Sequence, residues 1–206
     1  KGMGSSGTDG SSLGFNKTFT FSGAGELDNG YAWNYFYATS EDIAGRTSAQ
    51  VSFNLDAMGT LDLNAGAGSP VSGLDDVSPS AWEESWDGTS GTIHNKVGGI
   101  SGGTQITWSS PADLIPLGST LKLAWGPENA GHNGDKGTSA GADGTGDGYE
   151  VGLTTSLGME GLTINLATAQ MNTTDATTYA GDQTEYVGHI QYAVGPVTIG
   201  YQQNYE

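Results

Sequence analysis

A chain of 206 residues with 23 acidic and 6 basic side chains carries a net charge of −17, which makes it a poor candidate for binding nucleic-acid phosphates. The absence of cysteine excludes disulfides, thiol catalysis and cysteine-held zinc. Only 35% of residues are hydrophobic, and no apolar run reaches the length of a membrane helix, so a membrane-spanning form of this chain has to cross with strands.

The first stretch, Lys1 to Ser12, is polar and glycine-rich, lacks the apolar core of a signal peptide, and reads as a loop. Ten strand signals follow, at 17–25, 31–39, 48–56, 59–66, 103–109, 118–126, 148–157, 161–170, 184–194 and 196–205. In the second, Tyr31, Trp33, Tyr35 and Tyr37 share one face, and Ala32, Asn34, Phe36 and Ala38 the other. The third and fourth alternate most strictly. Val51, Phe53, Leu55, Leu61, Leu63 and Ala65 oppose Gln50, Ser52, Asn54, Asp56, Thr60, Asp62 and Asn64, on either side of a turn at Ala57-Met58-Gly59. In the sixth, Leu121, Leu123 and Trp125 oppose Thr120, Lys122 and Ala124; in the seventh, Tyr149, Val151 and Leu153 oppose Glu150, Gly152 and Thr154. The tenth sets Val197, Ile199, Tyr201 and Tyr205 against Thr198, Gly200, Gln202 and Asn204.

The connections alternate too. Tight turns at Leu27-Asp28-Asn29-Gly30, Ala57-Met58-Gly59, Gly158-Met159-Glu160 and Gly195-Pro196 alternate with long polar loops at 40–47, 66–102, 127–147 and 171–183. Short and long connections in turn are the signature of an up-and-down meander whose two ends face different compartments. Aromatic residues gather near strand ends, at Tyr31, Trp108, Trp125, Tyr149, Tyr192, Tyr201 and Tyr205, as in the interface girdles of a membrane barrel.

The polar faces separate a soluble sheet from a membrane one. A sandwich hides its apolar faces and keeps abundant Lys, Arg and Glu outside. Here the polar faces hold Ser, Thr, Asn, Gln, Ala and Gly with sparse charge, a mix suited to a water-filled lumen. The expected fold is therefore all-β, a transmembrane antiparallel up-and-down β-barrel in one domain over 1–206. Its lumen wall is expected to include Gln50, Asn54, Asp56, Asp62, Asn64, Lys122 and Glu150.

The long segment Ala65-Gly66-Ala67-Gly68-Ser69-Pro70, through Leu74-Asp75-Asp76-Val77-Ser78-Pro79-Ser80-Ala81-Trp82-Glu83-Glu84-Ser85-Trp86-Asp87-Gly88, to Asn95-Lys96-Val97-Gly98-Gly99 resembles the constriction loop of Gram-negative general porins, especially the alphaproteobacterial kind. That resemblance implies a homotrimeric outer-membrane barrel of about 16 strands with short periplasmic turns. It also implies surroundings of membrane lipid and lipopolysaccharide, and passive diffusion of small hydrophilic solutes. With 1–16 as the first outer loop and 40–47 as the second, 66–102 is the third, the loop that folds into the pore in that family. Ten strands and an end at Gln202-Gln203-Asn204-Tyr205-Glu206, without the terminal aromatic usual in such porins, read as an incomplete porin chain.

Within that loop Asp75, Asp76, Glu83, Glu84 and Asp87 outnumber Lys96. Carboxylates gathered at a narrow cross-section repel anions, so cation preference is expected, with Lys122 the single wall cation to oppose them. The Gly- and Asp-rich stretch 127–147 offers oxygen donors suited to calcium, but it has neither EF-hand spacing nor a nonapeptide repeat and reads as a surface loop. No resident cofactor or metal is otherwise expected. Glu83 and Glu84, between Trp82 and Trp86, are adjacent and point apart in an extended segment, unlike a glycosidase pair; His94, His132 and His189 show no metal-ligand spacing. No catalytic site stands out. The alternative reading is a soluble or surface-attached β-sandwich, an adhesin or carbohydrate-binding module using Trp82 and Trp86 as sugar platforms.

Overall fold

Period-two alternation gives most strands one polar and one apolar face, and neighbouring strands pair so that like faces align, since a slip by one residue would reverse them. The structure, a computed structural model, describes residues 18–39, 45–74, 77, 97–100, 103–127, 147–172 and 182–205. It contains β1 (Thr20–Glu26), β2 (Ala32–Thr39), β3 (Arg46–Asn54), β4 (Thr60–Ala65), β5 (Thr104–Ser109), β6 (Thr120–Gly126), β7 (Gly148–Thr155), β8 (Leu162–Met171), β9 (Gln183–Val194) and β10 (Val197–Tyr205). All ten form one antiparallel sheet in sequence order, each strand paired with the next. Among the described residues β1 pairs only with β2 and β10 only with β9, so the sheet is open.

Turn chemistry sets the strand ends. At the first turn the Gly30 amide donates to the Leu27 carbonyl, and Leu27 to Tyr31, both at 2.8 Å. At the turn after β3 the Asn54 side-chain oxygen accepts the Asp56 amide at 3.0 Å, which bends the chain before the strand can continue. Asp56 then opens a 3-10 turn, Asp56–Met58, with φ of 53°. The expectation that Asp56 belongs to a strand wall is corrected by this turn: β3 ends at Asn54, and Asp56 is an exposed turn residue.

Register carries the two faces across the whole sheet. One row runs Asn34, Ser52, Asp62, Thr107, Ala124, Glu150, Ala169 and Glu185. The adjacent row runs Trp33, Phe53, Leu61, Trp108, Leu123, Val151, Thr168, Tyr186 and Tyr205. We call the first face inner and the second outer.

Burial on these faces is inverted relative to a water-soluble sheet. Ser52, Asn64, Gln105, Thr107, Glu150, Asn165, Glu185 and His189 are buried, while Leu63, Ile106, Leu123, Trp125, Val151, Leu166, Tyr186, Ile190 and Ile199 are exposed. The apolar cores are small and lie on the polar side. Val71 and Val97 pack on Ala167, Ala169 and Val187, and Ile100 packs on Ala124 and Met171. Both clusters form where the segments 66–74 and 97–100 lie on the inner face, opposite strand positions occupied by small side chains.

Candidate functional site

The site is the contact between those two segments and the inner wall. After Gly66 and Gly68 turn the chain away from β4, each with positive φ, Ser69 and Ser72 brace the next turn. The Ser69 amide donates to Ser72 Oγ at 2.8 Å, the Ser72 amide to Ser69 Oγ at 3.2 Å, and the Gly73 amide to the Ser69 carbonyl at 2.9 Å. This reciprocal pairing satisfies backbone donors that a short 3-10 turn, Ser72–Leu74, cannot satisfy itself.

The segment is then held at points spread over much of the sheet. Gln105 Nε2 of β5 donates to the Gly68 carbonyl at 2.8 Å, and Gln202 Nε2 of β10 donates to the Leu74 carbonyl. Between them stands Glu150 of β7. One of its carboxylate oxygens accepts Ser69 Oγ at 2.8 Å and the Ile100 amide at 2.5 Å; the other accepts the Val71 amide at 2.7 Å. The same carboxylate therefore grips both the outgoing and the returning segment. Glu185 of β9 takes the amides of Gly98 and Gly99 at 3.0 and 2.9 Å. Both acids flank Ala169 in register, which puts their backbones about 10 Å apart at two interstrand spacings.

A buried carboxylate is costly unless several donors replace its water shell. Glu150 is 1% exposed and Glu185 fully buried. Backbone amides supply that shell through charge-assisted bonds. Space for the approach comes from missing side chains. A Cβ on Gly152 would stand 2.9 Å from Pro70 Cβ, and one on Gly99 would stand 1.9 Å from Glu150 Oε1. Gly99 also has φ of 53°, a conformation that costs other residues about 1–2 kcal/mol. Gly99→Ala is therefore expected to destabilise by more than that strain alone and to loosen the returning segment, seen as faster hydrogen exchange at the Ile100 amide.

A second polar group lies toward the turn end of the inner face. Thr154 Oγ1 donates to Asn165 Oδ1 at 2.7 Å, which leaves Asn165 Nδ2 to donate to His189 Nδ1 at 3.0 Å. Across β3 to β5, Gln50 Nε2 donates to Asn64 Oδ1 at 2.7 Å, Asn64 Nδ2 to Thr107 Oγ1 at 3.2 Å, and Ser52 Oγ to Asp62.

Of the residues expected on the lumen wall, Gln50, Asp62, Asn64, Lys122 and Glu150 are on the inner face, and Asn54 closes β3 on that face with its side chain committed to the turn. Lys122 is exposed there. Glu150 differs from expectation: it does not present charge to open space but lies sealed beneath the crossing segments. Asn64 is likewise buried, within the side-chain ladder. Asp75, Asp76, Glu83, Glu84, Asp87 and Lys96 lie outside the described residues, between the two anchored segments. So do Trp82 and Trp86, and all of 127–147 except Pro127 and Asp147. Sequence reasoning missed Glu185, Gln105 and Ser69 as anchors. The signal was the run of small inner-face residues at Gly148, Gly152, Ala167 and Ala169 around two inward acids, a wall cleared for another segment of chain. Compared with models of known protein families and with curated protein sequences, the chain matches none.

Proposed function

We propose that this chain forms the wall of an outer-membrane channel for passive diffusion of small hydrophilic solutes and ions, a porin-like β-barrel without catalytic chemistry. The observation that carries the proposal is the inverted burial: tyrosine, tryptophan, leucine and isoleucine lie open on one face, and amides, hydroxyls and carboxylates are covered on the other. A sandwich would bury the apolar face; a membrane strand exposes it to hydrocarbon.

Dimensions support the same reading. On β9 the outward positions from Tyr186 to Val194 span about 26 Å at ~3.3 Å per residue, or about 20 Å along the normal at a tilt of ~40°. The apolar band of outer-membrane barrels is about 25 Å tall. A trimeric assembly in lipid and lipopolysaccharide belongs to the proposal, as does the inward fold of 66–102 as a constriction. The net charge of −17, with Asp75, Asp76, Glu83, Glu84 and Asp87 in that loop against the single cation Lys96, favours cations over anions.

Planar-bilayer recording of the detergent-purified chain tests both parts. Stepwise conductance is expected, with a reversal potential under a KCl gradient whose sign reports potassium preference. Protein that stays monodisperse in detergent-free buffer and never conducts would overturn the channel in favour of a soluble or surface-attached β-sandwich module.

A further inference from the structure

Among the described strands the inner face carries a single phenyl, phenol or indole ring, that of Phe36 of β2. It belongs to neither buried apolar cluster. Phe36 is half-buried and Asn34, one inward position along the same strand, is exposed. In register, Phe36 stands opposite Gln50, which stands opposite Asn64; the next rung is Asn34, Ser52 and Asp62. The anchors of segments 66–74 and 97–100 are on β5, β7, β9 and β10, to one side of this patch. The bonds from Gln50 to Asn64 and from Ser52 to Asp62 hold the polar groups in place, and they leave Gln50 Oε1 and the second Asp62 oxygen for a ligand.

We propose that Phe36 is the platform of a carbohydrate-binding subsite on the inner face, with Asn34, Gln50 and Asp62 taking the sugar hydroxyls. The proposal rests on the diffusion-channel reading, in which this face meets water. A pyranose has a flat patch of C–H groups rimmed by hydroxyls, each hydroxyl both donor and acceptor. The negative face of an aromatic ring attracts the patch. Amides match the rim because they too donate and accept, and a carboxylate supplies further acceptors. From Asn34 to Asp62 is about 10 Å at two interstrand spacings, the reach of a disaccharide. Binding in the millimolar range suits a permeating solute, which must leave as readily as it arrives.

Saturation-transfer NMR with maltose as probe reads the site in the detergent-solubilised chain without needing a current. Transfer to pyranose C–H protons is expected for the native chain and for Phe36→Trp, with affinity about tenfold weaker in Phe36→Leu, which keeps an apolar side chain but loses the ring face. Equal transfer in Phe36→Leu and the native chain, or none in the native chain, overturns the subsite. Bilayer recording distinguishes the two ideas: an ion current without transfer to maltose sinks the subsite alone, whereas transfer without current sinks the channel and leaves the subsite standing.

Discussion

Replacing Glu150 by alanine is expected to detach both segments that cross the inner face. Three donors converge on this carboxylate, the Ser69 hydroxyl and the amides of Val71 and Ile100. The substitution leaves all three without their acceptor in a buried setting. Stranding buried donors costs about 1–3 kcal/mol each, so about 3–9 kcal/mol for the three. Water entering from the polar side brings the cost toward the lower figure, still about a hundredfold shift in the docking equilibrium. Glu150→Gln is expected to loosen the segments as well, because its amide nitrogen would point a donor at donors. Glu185→Ala should act on the returning end, releasing Gly98 and Gly99 while the Val71 bond persists. Hydrogen exchange at Val71, Gly99 and Ile100 separates these cases. If the proposed channel forms, the Glu150 variants are expected to give larger and noisier open-channel currents in bilayers. Unchanged exchange at Val71 and Ile100 in Glu150→Ala would show that Glu150 does not hold the segments.

Leu123→Arg is expected to destabilise the protein in lipid by about 2–4 kcal/mol if its position lies near the bilayer midplane. Leu123 is 41% exposed on the outer face, between Trp108 and Val151 in register. In water an exchange at so open a position would change stability by no more than about 0.5 kcal/mol, and added charge would favour solubility. The two solvents therefore predict opposite results from one substitution. Denaturant unfolding from lipid vesicles measures the cost, and Leu123→Ala separates lost contact from introduced charge. A Leu123→Arg protein as stable in vesicles as its alanine counterpart would remove hydrocarbon from the outer face.

The strands and their two faces were legible because alternation is a local property. Whether Val51 or Ser52 faces a given side follows from period-two geometry, and the meander order follows from alternating short and long connections. Asp56 shows where local pattern fails even at short range: Asn54 caps the chain through its side chain, a competition between hydrogen bonds that alternation does not register.

Tertiary structure alone decided what the inward acids do. Alternation placed Glu150 on the polar face, but its partners lie 50 to 81 positions away in sequence, and those of Glu185 lie 86 and 87 away. A carboxylate on a strand reads the same whether it lines water or binds backbone amides. The difference is set by whether another part of the chain approaches closely enough to replace its water. That approach depends on the small side chains of strands distant in sequence, brought side by side only when the sheet has formed.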